Sequence, residues 1–159
     1  QMSTVKTETL VNAPIEICFD LARDIDVHTQ TVWKHTKEKA VRGTTTGKIG
    51  SGEYVTFQAI HFGIRQKLTS KIVEYERPRK FVDQMVQGAF KSMRHEHEFQ
   101  SISEHKTVMI DRLIFEAPLG IIGWVIERFI LKHYMRKFVE DRNKALKKIA
   151  ESTKMKTDK

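Results

Sequence analysis

From Pro118 to about Ser152 the chain has no further proline and no glycine beyond Gly123. That spacing predicts one long C-terminal helix, because proline and glycine are the residues that most readily end one. Ile121, Trp124, Leu131, Met135, Phe138, Leu146 and Ile149 recur at helical intervals. Ile122, Val125, Ile126, Phe129 and Ile130 widen the apolar surface of the first half, broken only by Glu127 and Arg128. A membrane span needs about 20 apolar residues, and charges arrive well before that. The helix therefore has to be covered by the rest of the chain.

The upstream sequence supplies the cover. Residues 5–11 alternate, with Val5, Thr7, Thr9 and Val11 on one side, and predict a strand. Asn12 and Pro14 then mark a helix start, Asn12 as the cap and Pro14 in the first turn. Two short helices follow, one carrying Ile15, Phe19 and Leu21 and one from Ile25 to about Trp33. Six strand-like runs come next, at 39–43, 53–62, 64–75, 81–86, 93–99 and 107–115, separated by turn residues such as Gly63, Pro78 and Gly88. Connections this short favour an antiparallel meander. The expected architecture is α+β: a curved antiparallel sheet wrapped around the long helix, with two short helices after the first strand. One domain is expected over residues 1–152, followed by a disordered basic tail at 153–159.

Lysine and arginine number 28 against 20 acidic residues, for a formal net charge of +8. Lys144, Lys147, Lys148, Lys154, Lys156 and Lys159 concentrate the excess on the helix end and tail, where cations suit a solvated face and a helix C-terminus. No zinc spacing, recognition helix or aromatic RNA-binding signature accompanies them, so nucleic acid is not an expected partner, while an anionic membrane surface stays open. The single cysteine, Cys18, precludes an internal disulfide, and no apolar signal-like run opens the chain. Both point to the cytoplasm. Oligomeric state is not readable from these residues.

Residues two apart on a strand share a face, so polar groups on core-facing positions can be picked out. Val55, Phe57, Ala59 and His61 share one face; Phe81, Asp83 and Met85 another; Met93, His95, His97 and Phe99 a third; Thr107, Met109, Asp111, Leu113 and Phe115 a fourth. Three histidines and two aspartates thus lie among core residues, where each must find a partner, water or a ligand. Arg142, on the apolar stripe of the long helix, is a candidate counter-ion for Asp111 or Asp83. A packed network without ligand and a polar end to an apolar pocket are both consistent with this pattern. His95-Glu96-His97 could also chelate a metal with His61 or an aspartate as third ligand. The triplet has no further spaced ligand motif, so no metal and no cofactor is assigned.

Three segments carry a resemblance: Asn12-Ala13-Pro14-Ile15-Glu16 followed by Phe19-Asp20-Leu21, the run from Glu74-Tyr75-Glu76-Arg77-Pro78 to Asp83, and Thr107-Val108-Met109-Ile110-Asp111 before Ala117-Pro118-Leu119-Gly120. With the element order, they resemble the START-like superfamily, the helix-grip fold of lipid-transfer START domains, birch-pollen-allergen-type proteins and polyketide cyclases. With His28, His61, Arg94-His95-Glu96-His97 and Arg142-Asn143, the chain looks like a bacterial polyketide cyclase/dehydrase-like subgroup. The resemblance implies an internal cavity but supplies no catalytic motif residue by residue.

The function expected is binding of an apolar or amphipathic small molecule, such as a lipid or polyketide-like compound. Phe57, Met93, Phe99, Met109, Leu113, Trp124 and Phe129 are the expected wall. His61, Asp83, His95, His97 and Asp111 would orient the polar end, Arg142 would stand near the aspartates, and His28 would close the mouth. One alternative is a cyclase or dehydratase with a His–Asp acid/base pair. The other is a peripheral membrane or protein-interaction module that uses residues 121–130.

Overall fold

A computed structural model describes residues 2–157, with side chains to residue 153. β1 (Ser3–Val11) leads into α1 (Ile15–Ala22), α2 (Ile25–Thr31) and a 3-10 turn at Lys34–Thr36. Six strands follow: β2 (Lys39–Gly43), β3 (Tyr54–His61), β4 (Ile64–Glu76), β5 (Lys80–Gln87), β6 (Ser92–Ser103) and β7 (Lys106–Glu116). The chain ends in α3 (Gly120–Ile126), a π-helical turn (Glu127–Leu131) and α4 (Lys132–Thr157). α4 runs past the boundary expected at Ser152, and residues 158 and 159 of the expected tail, with the side chains of Lys154 and Lys156, lie outside the described residues.

All seven strands form one antiparallel sheet in the order β1-β7-β6-β5-β4-β3-β2. The meander from β2 to β7 is extended by β1, which pairs with β7 from Ser3 opposite Phe115 to Val11 opposite Thr107. Register shifts at Ala40/Arg42, Thr69/Ser70, Ile72/Glu74 and Ser101/Ser103 insert bulges, which bend and twist strands and so help the sheet to curve. α4 packs against β1, α1 and α2.

Local chemistry at the helix starts differs in part from expectation. Asp24 caps α2, its carboxylate accepting from the Val27 N–H at 3.1 Å. Asn12 does not cap α1: Pro14 holds the cap position, and the Asn12 backbone N–H donates to Glu151 Oε2 on α4 at 3.1 Å. The displaced residue ties β1 to the long helix instead.

Two apolar clusters fill the space between sheet and helices. In the first, Phe19 of α1 is fully buried against the rings of Tyr75, Phe81 and Phe99 at 5.3–5.5 Å between centroids, with Leu146 and Ala150 of α4 beside it. In the second, Val5, Met93, Leu113, Phe115 and Val139 meet Leu131 and Met135.

The first half of the long helix is a correction. Ile121, Ile122 and Phe129 are 83%, 67% and 64% exposed, while the residues turned to the protein are Gly123 and Glu127. A Cβ at Gly123 would come within 1.7 Å of the Pro118 carbonyl oxygen, so only glycine allows this approach. The Glu127 carboxylate accepts from the Ala117 N–H at 2.7 Å and from the Ser3 hydroxyl. A buried carboxylate with two donors fixes the rotation of this segment, and its apolar side then faces away from the sheet. Among the described residues no helix is long and apolar enough to cross a membrane.

Candidate functional site

The concave side of the sheet and the N-terminal part of α4 enclose a cavity of about 310 Å³. This is near the lower end of the range for small-molecule sites, roughly 300–1,000 Å³. Phe57, Leu68, Met93 and Leu113 from the sheet face Leu131, Met135, Phe138 and Val139 from the helix across it. The exposed members of its lining are Phe62, Lys67, Ala89 and Pro118. They place the mouth between the β3–β4 turn, the β5–β6 turn and the entry to α3, so the exposed apolar helix stands beside the opening.

At the polar side of the cavity, strand alternation stacks His95 and His97 with ring centroids 3.7 Å apart, and His97 in turn lies on Phe81 at 4.2 Å. Carboxylates flank this stack on both neighbouring strands. On β7, Asp111 Oδ1 accepts from His95 Nε2 at 2.7 Å and lies 3.3 Å from His97 Nδ1. On β5, Asp83 Oδ2 accepts from His97 Nε2 at 2.9 Å. Asn143 of α4 completes the arrangement by donating to Asp111 Oδ2 at 2.8 Å.

The protonation pattern follows from these contacts. Burial alone would raise Asp111, but hydrogen bonds from His95 and His97 hold its carboxyl well below the usual range. Asp83 is likewise opposed by burial and lowered by His97. Burial works against charge on His97, yet the bonds to Asp111 and Asp83 outweigh it and raise its pKa. Both nitrogens of that ring face carboxylate oxygens, as an imidazolium requires. His95 goes the other way: burial and the neighbouring His97 lower its pKa despite Asp111. Its proton sits on Nε2 toward Asp111, which leaves Nδ1 as a lone-pair nitrogen.

A second polar group approaches the same space. Glu38, between the 3-10 turn and β2, lies 3.3 Å from His28 Nε2 through Oε1, and its Oε2 is buried without a hydrogen-bond partner. Burial opposes its charge, but His28, His61 and Arg142 lower its pKa. Arg142 donates to the Ala22 carbonyl at 3.1 Å and keeps a buried, unpartnered Nε. His61 Nδ1 meets the Tyr134 hydroxyl at 2.6 Å, and burial lowers its pKa.

Among the residues selected from the sequence, His28, Phe57, His61, Asp83, Met93, His95, His97, Leu113 and Arg142 line this cavity. Phe99 and Met109 do not, because they lie farther along β6 and β7, in the first apolar cluster where α1 brings Phe19 against the sheet. Trp124 and Phe129 do not, because Glu127 turns their helix so that they point outward. Asp111 stands behind the histidines rather than on the lining. Arg142 forms no ion pair with Asp111 or Asp83 among the described contacts; Asn143, one residue on, reaches Asp111. Glu38 and Tyr134 line the cavity as well, beyond the residues expected from the sequence. Tyr134 was findable on the helical stripe four residues before Phe138, whereas Glu38 lies outside any periodic segment.

No family model matches the sequence, and no curated protein is similar to it. Several solved structures are similar in fold. TTHA0849 from Thermus thermophilus is 19% identical, covering 95% of this chain and 99% of that one with a TM-score of 0.74. A START superfamily protein from Mycobacterium smegmatis is 15% identical over 94% and 98%, with a TM-score of 0.72. The Zhui aromatase/cyclase from Streptomyces sp. R1128 is 15% identical over 95% and 94%, with a TM-score of 0.67. The curved seven-stranded antiparallel sheet, the long C-terminal helix and these likenesses together show that the chain has the helix-grip fold of the START-like superfamily.

Proposed function

We propose that this chain binds an amphipathic small molecule in the cavity, its apolar body along Phe57, Leu68, Met93, Leu113 and Phe138 and its polar end toward Glu38, Arg142 and the His95/His97 pair. The observation that carries this reading is the pair of buried unpartnered atoms, Glu38 Oε2 and Arg142 Nε, on residues that line one apolar cavity. Each unpaired buried polar atom costs free energy, typically ~1–3 kcal/mol, which a ligand group or water reaching it would offset. Because one is an acceptor and the other a donor, a hydroxyl, which both donates and accepts, suits both. The similar fold of an aromatase/cyclase supports a small-molecule site in this scaffold.

The exposed helix belongs to the same reading. Its apolar side chains flank the mouth, with Arg128 at 5.7 Å over the Trp124 ring. A patch of this kind favours contact with a lipid surface, from which an apolar ligand would enter. A fluorescent apolar dye such as anilinonaphthalene sulfonate tests the cavity. Ala59→Phe projects a ring from a buried, cavity-lining position, and dye affinity is expected to fall at least tenfold. Ile122→Asp, on the outer helix, leaves the cavity intact and separates cavity binding from patch binding. Unchanged affinity in a folded Ala59→Phe protein would sink the proposal.

An acid–base role has its own supporting observation. His95 lines the cavity, donates from Nε2 to Asp111 at 2.7 Å and keeps Nδ1 available as a base. A ketone-containing substrate consumed by the wild-type chain but not by His95→Gln is the result expected from it. Equal turnover by both proteins would remove it.

A further inference from the structure

One ligand atom from each of Asp83, His95 and His97 lies within 4.8 Å of the others, on residues that border the cavity. The arrangement around them is asymmetric. Asp111 occupies one edge of the stacked rings, near His95 Nε2 and His97 Nδ1. Asp83 occupies the other edge, 2.9 Å from His97 Nε2. We propose that Asp83, His97 Nε2 and His95 Nδ1 bind a divalent first-row transition-metal ion, which displaces the His97 Nε2 proton to solvent, with Asp111 orienting both imidazoles from behind.

Four features carry the assignment. Ligands held at usual distances of about 2.0–2.2 Å and angles of roughly 90–109° are separated by about 2.9–3.4 Å, and Asp83 and His97 already stand at the lower end of that span. Metal-binding histidines characteristically donate their other ring N–H to a carboxylate, and Asp111 is placed to receive one from each ring. Asp111 is itself held by Asn143 at 2.8 Å, so the supporting carboxylate does not swing freely. Finally, Asp83 and Asp111 together carry two negative charges, which offset a dication in a place where an uncompensated charge is costly.

The donor set selects the ion class. Two imidazoles and one carboxylate suit zinc, iron(II) or cobalt(II), whereas calcium and magnesium prefer oxygen ligands alone. Three protein ligands leave coordination positions for water or for a polar group of whatever occupies the cavity. The assignment does not depend on what that occupant is, but a metal on His95 Nδ1 excludes that nitrogen as a general base.

Isothermal titration calorimetry of the chelator-treated full chain with zinc chloride provides the test. One ion per chain is expected, with affinity at least tenfold weaker in Asp83→Asn and in His95→Gln. His105→Ala and His133→Ala, on exposed positions, should leave it unchanged. Cobalt(II) added to the wild-type protein supplies a readout that needs no variant: its visible absorption should report nitrogen ligation at low coordination number and should be bleached by zinc. No saturable zinc binding by the folded wild-type chain would overturn the proposal. So would binding that survives Asp83→Asn and His95→Gln but disappears in the exposed-histidine variants.

Discussion

Replacing Asp111 by asparagine keeps the shape of the side chain and removes its charge. The native carboxylate accepts from His95 Nε2 at 2.7 Å and Asn143 Nδ2 at 2.8 Å, with His97 Nδ1 at 3.3 Å, and it is only 5% exposed. An asparagine amide has one oxygen for these donors, and its NH₂ group must then point at another N–H. A close donor pair results unless Asn143 turns its own amide to present its oxygen, and His97 loses one of the two carboxylates that favour its charge. Breaking a buried charged pair by removing one partner costs about 3–5 kcal/mol. That is a large part of the ~5–15 kcal/mol by which domains are stable. With an m-value of about 2 kcal/mol per M in urea, the unfolding midpoint falls by roughly 1.5–2.5 M. The measurement is urea unfolding at pH 7 in the presence of chelator, followed by tryptophan fluorescence.

The pH dependence supplies a second check on the same variant. A carboxylate lowered in the folded state contributes stability that is fully present above its unfolded pKa, near 3.9, and is lost as pH falls through the folded value. Asp111 is such a group. The difference between wild type and Asp111→Asn should thus be full at neutral pH and close in acid, below about pH 4. A difference under 1 kcal/mol at pH 7, or one that widens in acid, would refute the reasoning.

Asp83→Asn tests the opposite sign. His97 is raised in the folded state, so its contribution is complete below about pH 6.5 and is lost as pH rises through the folded value; in chelator, the stability gap to wild type should be larger at pH 6 than at pH 9. Glu127→Ala leaves the Ala117 N–H buried without its acceptor and should cost about 1–3 kcal/mol in the same urea assay, where a change below 0.5 kcal/mol would contradict the anchoring role. Burial pushes the Cys18 thiol up to about 11, so a disulfide reagent at pH 8 should label it only on the timescale of unfolding; burst labelling of the native protein would show the site to be open. Ile122→Asp with Phe129→Asp should reduce cosedimentation with anionic vesicles severalfold at unchanged stability, and undiminished cosedimentation would separate the exposed helix from lipid contact.

What alternation and helical period can reveal explains which site residues were legible. Strand alternation assigns a face, and it put His61, Asp83, His95 and His97 on the faces where they line the cavity. It does not assign depth along the strand. Phe99 and Met109 share faces with His97 and Asp111, yet Phe19 of α1 reaches the layer they occupy, and no local pattern records how far α1 extends across the sheet. Helical period has the complementary gap: it identifies an apolar stripe without saying whether anything covers it. Around residues 121–130 the informative residues were the exceptions. Gly123 and Glu127, four apart, share a face, and their close fit to Pro118 and Ala117 turns the long apolar surface outward. A lone carboxylate in an apolar run is costly to bury without donors, so its burial with two donors marks the side of the helix that meets the protein. Glu38 had no comparable signal, since it follows a 3-10 turn where neither period applies and its relation to His28 and Arg142 arises only when the sheet closes over α4.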